Sequence, residues 1–400
     1  MARHHTAFDR LLDLKPRAFA ACDALLGWHP ALRRASGFFP DFGWPAARAR
    51  IISDETRRNR LLDARYAQAR EIVSQYSVDV MNPFESGCGP DETRMTVALI
   101  EDAIIPGHTL TPADPETGQQ IALTQRCKAR WAFAYPALAR KTIPIRELCL
   151  AIPPFLHYSH VLTDVLMPIA EAVRIGAIPP GEELVVVTGS HPPIVDAFID
   201  GLSGFGIRAR QLQLRPGEQV RADRYLYART HSLSVERLLG PPDAHETALK
   251  IFRNAYGDRA SGGTAKRLYM KRVGHRQRVV AGEDELVARL EAAGFTILVP
   301  EWSNHAEQIK SCAAADVIVA MHGAALCNIV FSRPDTTLVE IMASDARKTV
   351  GLHWAAESGA RYVPLLGSPE GKKQSFSIDP AEMARAVIAA AEQAQTQSGV

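Results

Sequence analysis

The sequence lacks several features that would assign it quickly to a class of protein. Its six cysteines are scattered, and none forms a Cys-x-x-Cys pair or a Cys/His cluster with zinc spacing. No apolar window approaches the ~18 residues of a membrane span. The stretch from Met1 to Lys15 has no apolar core of a signal peptide. These absences exclude a zinc-finger protein and favour a cytoplasmic, reducing compartment.

The sequence also has little net charge. The formal charge is +2, with 46% hydrophobic and 22% charged residues, which is ordinary for a globular protein. The composition therefore gives no reason to expect nucleic acid as a partner. The charge is uneven, because residues 1–70 carry 13 Lys and Arg against 7 Asp and Glu. This basic stretch either contacts an anionic membrane surface peripherally or is a solvated face of the protein.

Two motifs of cofactor and metal binding are missing. The turn from Val187 to Pro193 is not a Gly-x-Gly-x-x-Gly motif, since prolines stand where a glycine is needed, and a dinucleotide-dependent oxidoreductase is therefore disfavoured. There is no Asp-x-Asp triplet and no carboxylate cluster with the spacing of a Mg or Mn site. We expect neither a cofactor nor a metal.

Strands alternate with helices in two stretches of the chain, 151–215 and 265–367. Continuous apolar runs predict buried strands at Glu183 to Thr188 and at Asp316 to Met321. The alternation is typical of parallel sheets covered by helices on both faces. The sequence therefore predicts an α/β fold with two Rossmann-like lobes and a cleft between them.

Changes in the pattern of predicted helices and strands divide the chain into four expected regions. These are a helical N-terminal extension over 1–94, an N-terminal α/β lobe over 95–215, a C-terminal α/β lobe over 216–370, and a C-terminal helix and tail over 371–400. The last helix, Pro380 to Gln393, is expected to pack back on the first lobe.

The segment 316–340 is the most informative for chemistry. Its predicted strand is followed at once by a helix start made of three small residues, Gly323, Ala324 and Ala325. The free N–H groups of a first helical turn, together with the helix dipole, suit an anion such as a pyrophosphate. His322 lies at this position, and Glu340, which ends the next strand, can accept both hydroxyls of a ribose. The alternative is a tight turn whose small residues serve packing alone.

A basic segment precedes it. Between Asp258 and Glu283 there are seven Lys and Arg and no acidic residue. Lys271 and Arg272 lie at the predicted end of a strand, where they would face the same rim as the small residues at 323–325. Such a cluster can neutralise a diphosphate, and arginine can do so with two parallel hydrogen bonds. A solvated basic loop is the competing interpretation.

A histidine and a carboxylate stand four residues apart in a predicted helix. His160 and Asp164 then share one face and can form a hydrogen bond. A carboxylate that holds an imidazole fixes its tautomer and raises its basicity. The pair is either a general base with its orienting partner or a structural contact.

The three segments, in this order, resemble glycosyltransferase family 61. The positions that match its pattern are Tyr158, His160, Asp164, Arg272, Arg278, Glu283, Glu307, Gln308, His322, Gly323, Ala324, Leu326, Asn328 and Glu340. The sequence departs from the pattern at His157, Val161, Gly282, Ala325 and Cys327. The resemblance covers roughly residues 95–367 and is strongest over 265–341.

The resemblance implies an inverting, metal-independent glycosyltransferase with a GT-B-like fold. In this interpretation the C-terminal lobe binds a nucleotide-sugar donor and the N-terminal lobe binds a hydroxyl acceptor such as a glycan. Either His160, oriented by Asp164, or Asp164 itself takes the acceptor proton. The residues expected at the donor are Lys271, Arg272, Arg278, His322, Gly323, Ala324, Ala325, Asn328 and Glu340. Bacterial-type members are associated with capsule and other surface polysaccharides, which is an analogy only.

Two other functions remain open. A sugar-nucleotide epimerase or hydrolase on the same scaffold would turn over the donor without an acceptor. A non-catalytic module that binds nucleotide sugars would keep the fold and lack turnover, although the presence of both His160 and Asp164 disfavours it.

Overall fold

The protein is a mixed α/β structure with two sheets that both contain parallel strands, as seen in a computed structural model. The structure describes residues 49–58, 92–107, 110, 112–115, 139–152, 158–215, 217–231, 242–272, 279–344, 350–370 and 375–398. Arg278, expected at the donor site, lies outside these ranges, as does most of the expected N-terminal extension.

Six strands of the described chain form the first sheet, in the spatial order β1-β2-β6-β3-β4-β5. They are β1 (Ala49–Arg58), β2 (Glu92–Pro106), β3 (Lys141–Ala151), β4 (Glu183–Thr188), β5 (Arg208–Gln213) and β6 (Glu218–His231). Strands β1, β2 and β6 are antiparallel neighbours, whereas β6, β3, β4 and β5 run parallel. The predicted strand Glu183–Thr188 is confirmed, and its side chains are buried from Leu184 onward.

Within the described ranges the second sheet has seven strands, in the order β8-β13-β12-β11-β10-β7-β9. They are β7 (Arg267–Met270), β8 (Val280–Ala281), β9 (Thr296–Leu298), β10 (Val317–Met321), β11 (Thr337–Ala343), β12 (Arg361–Glu370) and β13 (Ser375–Ser377). Strands β9, β7, β10, β11 and β12 are parallel. All five side chains of β10 are buried, as its apolar sequence predicts.

The strand order of the second sheet creates a crevice between β7 and β10. After β7 the chain forms the two-residue edge strand β8, then β9 on one side of β7, and then β10 on the other side of β7. In open parallel sheets ligands bind at such a reversal, beyond the carboxyl ends of the strands. Ala320 pairs with Met270, so the residues that follow these two strands meet at this point. They are Lys271 and Arg272 after β7, and His322 to Ala325 after β10.

Helices connect the strands. They are α1 (Tyr158–Val161), which continues through a π-helical segment (Leu162–Leu166) into α2 (Met167–Arg174), then α3 (Pro193–Gly201), α4 (Pro242–Tyr256), α5 (Glu283–Ala292), α6 (His305–Ala314), α7 (Val350–Glu357) and α8 (Pro380–Ser398). Three acidic residues in the first turn of α5 complement its dipole, and Gly294, at a φ of 82°, follows its end. No helix that the structure describes is long and apolar enough to cross a bilayer.

One hydrophobic cluster joins the two sheets. It contains Leu148 and Val186 of the first sheet together with Leu268 and Ile318 of the second. Helix α4 contributes Phe252 to this cluster and contacts α2, α3 and the short helix that follows β10. Helix α1 also contacts that short helix. The carboxyl edge of the second sheet is therefore packed against helices that belong to the first.

Ala49–Arg58 differs from the predicted helical extension. This segment is strand β1, and it pairs antiparallel with β2 along nearly its whole length. Pairing with a neighbouring strand outweighs the helix preference of its charged residues, because strand formation depends strongly on context. Strand β6 (Glu218–His231) follows the expected limit at 215 and yet pairs within the first sheet. The four domain limits remain predictions.

The last helix also differs from its prediction. Helix α8 packs on α5 and on strands β10, β11 and β12 of the second sheet, rather than on the first lobe. Its buried face consists of apolar residues at helical spacing, among them Met383, Val387 and Ala391. These cover the same face of the second sheet as Leu286 and Leu290 of α5.

Candidate functional site

His322 follows β10 and is held by a buried carboxylate. Its Nδ1 hydrogen-bonds to Oε1 of Glu340, and the hydroxyl of Tyr362 donates to Oε2 of the same carboxylate at 2.6 Å. Burial, with the negative charge of Glu340 beside it, raises the pKa of Tyr362 well above its ordinary value, so the hydroxyl keeps its proton. The other ring nitrogen of His322, Nε2, has no hydrogen-bond partner among the described residues. That nitrogen is the one available to a ligand.

Glu340 lies behind His322 instead of facing the crevice. The sequence predicts a ribose contact for Glu340, whereas its side chain is 0% exposed and both of its oxygens are already engaged. The nearby helix α7 leaves no room for movement, because a Cβ on Gly351 would lie 2.1 Å from Glu340 Oε2. In this structure Glu340 orients His322, which is the arrangement of a carboxylate that fixes a histidine tautomer.

Gly351→Ala is expected to destabilise the protein by about 1–3 kcal/mol, the usual cost of forcing atoms into a packed site. Alanine is otherwise the better helix former, so the sign of the effect tests the contact with Glu340. Urea denaturation of Gly351→Ala, Glu340→Ala and the double variant measures the coupling. The cost of Gly351→Ala should shrink when Glu340 is already alanine. An equal cost in both backgrounds would contradict the contact.

The helix that begins at the small residues after β10 is a 3₁₀ helix, Ala324–Phe331. Residues Leu326 to Phe331 are all buried, and tertiary packing of this kind outweighs the helix preference of the two alanines. The N–H groups of Gly323, Ala324 and Ala325 bond to no acceptor in the described part of the chain, and the first internal bond runs from Leu326 N to Gly323 O at 3.2 Å. The predicted set of free donors is therefore present in 3₁₀ geometry.

Arg272 lies across the crevice from these donors. Its guanidinium Nη1 is 3.4 Å from the carbonyl oxygen of His322 and 3.4 Å from the Cβ position of Gly323. Its backbone N–H bonds to the carboxylate of Glu283, which also accepts from the Tyr269 hydroxyl at 2.8 Å. Burial raises the pKa of Glu283 despite these hydrogen bonds. The first turn of α5 thus fixes the backbone from which Arg272 reaches the crevice.

Lys271 is paired with a surface carboxylate. Its ammonium donates to Asp284 Oδ1 at 2.7 Å, and this hydrogen bond raises the lysine pKa. The Asp284 side chain is 93% exposed. An exposed pair of this kind contributes little to stability, so the lysine can exchange it for an anionic ligand at small cost.

The predicted contact between His160 and Asp164 is confirmed. Nδ1 of His160 lies 2.6 Å from Oδ2 of Asp164, and the Thr163 hydroxyl lies 2.6 Å from the other carboxylate oxygen. Because an ionised carboxylate only accepts, the imidazole donates from Nδ1 to Asp164. The two side chains are 16% and 28% exposed, so the pair is within reach of a ligand.

A π-helical segment carries Asp164. Pro168 has no N–H, and a regular helix would place the carbonyl of Asp164 opposite it. The chain widens over Leu162–Leu166 instead, and Met167 N–H bonds to Leu162 O. Segments of this kind occur frequently at functional sites. A proline inside a helix commonly kinks it, and here the structure shows this widened turn.

Asn328 lies inside the protein, between the two sheets. It is 0% exposed; the Tyr158 hydroxyl of α1 donates to its Oδ1, and its Nδ2 donates to Gln308 Oε1 at 3.1 Å. His305 Nε2 lies 3.0 Å from the same tyrosine hydroxyl. The sequence predicts a donor contact for Asn328, whereas the structure uses it to join α1, α6 and the 3₁₀ helix.

Several residues of the site could not be predicted from the sequence. Tyr362, His305 and Tyr256 have no local signal, since each is defined by a partner far away in the chain. Gly351 is recognisable only once Glu340 is placed against it. Among the residues described, no group of three or more His, Cys, Asp or Glu side chains is arranged to hold a metal ion.

Residues 158–339 match the family model described as Glycosyltransferase 61. The match begins at α1 and ends within β11, so it includes His160, Asp164, Arg272 and the turn at His322, and stops one residue before Glu340. No curated protein matches the chain.

Proposed function

Since this chain carries a glycosyltransferase 61 region at residues 158–339 and is thereby a glycosyltransferase, we propose that it moves a sugar from a nucleoside-diphosphate donor to an acceptor hydroxyl, with inversion and without a metal. The observation that carries this proposal is the crevice between β7 and β10, where Arg272 meets three free N–H groups beside His322. We assign the two sheets to the acceptor and donor lobes of a GT-B-like enzyme.

The donor diphosphate fits the chemistry of the crevice. Backbone N–H groups at a helix start and an arginine supply hydrogen-bond donors and positive charge. In the complex the diphosphate lies on the Nε2 side of His322 while Glu340 lies on the Nδ1 side, so the ring lies between the two negative groups. Lys271 can leave Asp284 and join them, and Arg278 belongs to the same basic segment. These groups stabilise the diphosphate as negative charge builds on it.

The acceptor is activated at α1. His160 Nε2 takes the proton of the acceptor hydroxyl, whose oxygen attacks the anomeric carbon while the bond to the diphosphate breaks. Asp164 holds the ring by Nδ1 and stabilises the imidazolium that forms. The contact of α1 with the 3₁₀ helix brings this base to the lobe that carries the donor site. Direct proton transfer to Asp164 is the alternative within the same pair.

The cellular role follows from the family and the basic start of the chain. We propose a cytoplasmic enzyme of surface-polysaccharide or glycan synthesis. Residues 1–70, with their excess of Lys and Arg, would hold it peripherally at the inner face of a membrane.

A thermal-shift screen against nucleoside diphosphates tests the donor class. A ligand at ~100 times its dissociation constant stabilises the folded protein by about 2.7 kcal/mol. One or more diphosphates should raise the melting temperature, and the matching monophosphates should do so less. No shift with any diphosphate would contradict the proposed donor site.

Donor turnover without an acceptor separates the alternative functions. An epimerase or hydrolase consumes the nucleotide sugar alone, and a binding module binds it without consuming it. The proposed transferase requires both substrates for fast release of the diphosphate. The His160–Asp164 contact favours an enzyme over a binding module.

Chelation tests the proposed lack of a metal requirement. We expect activity to survive EDTA, because arginine and backbone N–H groups perform the charge neutralisation that a metal performs elsewhere. Initial rates before and after chelation give the answer. Complete loss of activity, restored by Mg or Mn, would contradict it.

A further inference from the structure

A chain of hydrogen bonds runs through the interior between the two sheets. Its members come from four elements: Tyr256 of α4, His305 and Gln308 of α6, Tyr158 of α1, and Asn328 of the 3₁₀ helix. His305, Gln308 and Asn328 are all buried. We call this set the interior chain.

The direction of every bond in the interior chain can be deduced from its end. Gln308 Nε2 lies 2.6 Å from the carbonyl oxygen of Glu301, and a backbone carbonyl can only accept. The amide of Gln308 therefore points its nitrogen at Glu301 and its oxygen at Asn328. Asn328 must then donate from Nδ2 and present Oδ1 to Tyr158, whose hydroxyl donates to it.

The same logic determines the tautomer of His305. The Tyr158 hydroxyl donates its one hydrogen to Asn328, so it can only accept from His305 Nε2, which lies 3.0 Å away. His305 Nε2 must therefore carry a hydrogen. Burial lowers the pKa of His305 to about 3, and the ring is neutral. Nδ1 of the neutral ring then carries no hydrogen and accepts a hydrogen bond from the Tyr256 hydroxyl at 3.0 Å. Burial also keeps both tyrosines protonated, since it raises the pKa of Tyr256 to about 12 and that of Tyr158 well above its usual range.

We propose that His305, as the neutral Nε2–H tautomer, is a positioning residue that sets the 3₁₀ helix of the donor site against the α1 helix that carries His160. The inference rests on the proposed function. His305 is the only member of the interior chain that links both tyrosine hydroxyls, one from α4 and one from α1. Asn328 transmits this arrangement to the helix whose first turn offers the free N–H groups. Neutral, fully paired polar groups achieve this without the desolvation cost of buried charges.

The ring state of His305 can be measured without any activity. Histidine-selective ¹⁵N NMR of the full chain should show one neutral Nε2–H ring that does not titrate between about pH 5 and 8, and that is absent from His305→Phe. The deduced direction of the interior chain would be overturned if the ring that disappears in His305→Phe were an Nδ1–H ring, or if that ring became charged in this range.

Kinetics of variants test the positioning role. His305→Phe keeps the ring packing but removes both ring nitrogens, and we expect kcat to fall by roughly 10–100-fold while KM for the donor stays nearly unchanged. His305→Gln retains one N–H and one acceptor and should recover part of kcat. Phe252→Leu is the matched control, because Phe252 contacts the His305 ring at 4.9 Å without a hydrogen bond. It should lower stability and leave kcat of the folded protein intact.

The outcomes separate the inference from the function on which it rests. Wild-type kcat in His305→Phe, or an equal loss of kcat in Phe252→Leu, would show that His305 is merely structural. Absence of sugar transfer by the wild-type protein would remove the positioning role together with the proposed function. In that case the NMR measurement would still decide the tautomer and the direction of the interior chain.

Discussion

His160→Ala is expected to lower turnover by about 10²–10⁴-fold, the usual contribution of a general base. The affinity for a nucleoside diphosphate should stay nearly intact, because the proposed phosphate contacts come from the second sheet and its turns. Steady-state rates, together with calorimetric titration of the diphosphate, separate the two quantities. Asp164→Asn should also lower turnover, since the amide can still hold the ring but lacks the charge that stabilises an imidazolium.

A third histidine–carboxylate pair, away from the proposed site, provides the control. His191 Nε2 lies 2.7 Å from Asp196 Oδ1, and the pair follows strand β4 of the same sheet. His191→Ala removes the same chemistry from a position that the proposed mechanism does not use, and turnover should remain near that of the wild type.

The pattern of these variants also decides which member of the pair is the base. If His160→Ala kept turnover while Asp164→Asn abolished it, Asp164 would be the base. If both variants remained folded and active, the pair would be structural. The chemistry would then have to be sought at His322, whose Nε2 is the other imidazole nitrogen at the site that a carboxylate orients.

Arg272→Ala is expected to weaken binding of a nucleoside diphosphate by about 1.5–3 kcal/mol, the range for a hydrogen bond to a charged group. This corresponds to roughly a 10–150-fold higher dissociation constant. The reason is its position at the crevice, where its guanidinium lies beside Gly323 and the free N–H groups. Isothermal titration calorimetry measures the change directly.

Arg289 is the matched control for this variant. It is an arginine of the same lobe whose guanidinium pairs with Glu285 at 2.8 Å on the surface of α5. Arg289→Ala should leave the affinity unchanged, because an exposed pair contributes little and faces no ligand. Equal affinities for the wild type and Arg272→Ala would remove Arg272 from the donor site.

Local patterns in the sequence are enough to predict much of the second sheet. Strand β10 follows from an apolar run; it begins one residue after its predicted start and ends at its predicted end, Met321. The hydrogen bond between His160 and Asp164 follows from a spacing of four residues on a helix. Each of these predictions depends on residues close together in the chain, where the geometry of the backbone alone determines which side chains are neighbours.

The sequence does not predict the features that depend on residues far away along the chain. Glu340 looks like a ribose ligand because it ends a strand, but Tyr362 on the neighbouring strand and Gly351 on α7 enclose it. Ala49–Arg58 is a strand only because β2 lies beside it. The tautomer of His305 depends on a backbone carbonyl that is reached through three other side chains. None of these relations leaves a periodicity or a motif in the sequence.

The most direct test of glycosyl transfer is to follow both products at once. The protein is mixed with a nucleotide sugar that stabilises it and with a panel of hydroxyl acceptors, and mass spectrometry measures the glycosylated acceptor while the released nucleoside diphosphate is quantified. The account predicts equal amounts of the two products, and near loss of both with His160→Ala. Release of the diphosphate at the same rate with no acceptor present, and no glycosylated product, would contradict it.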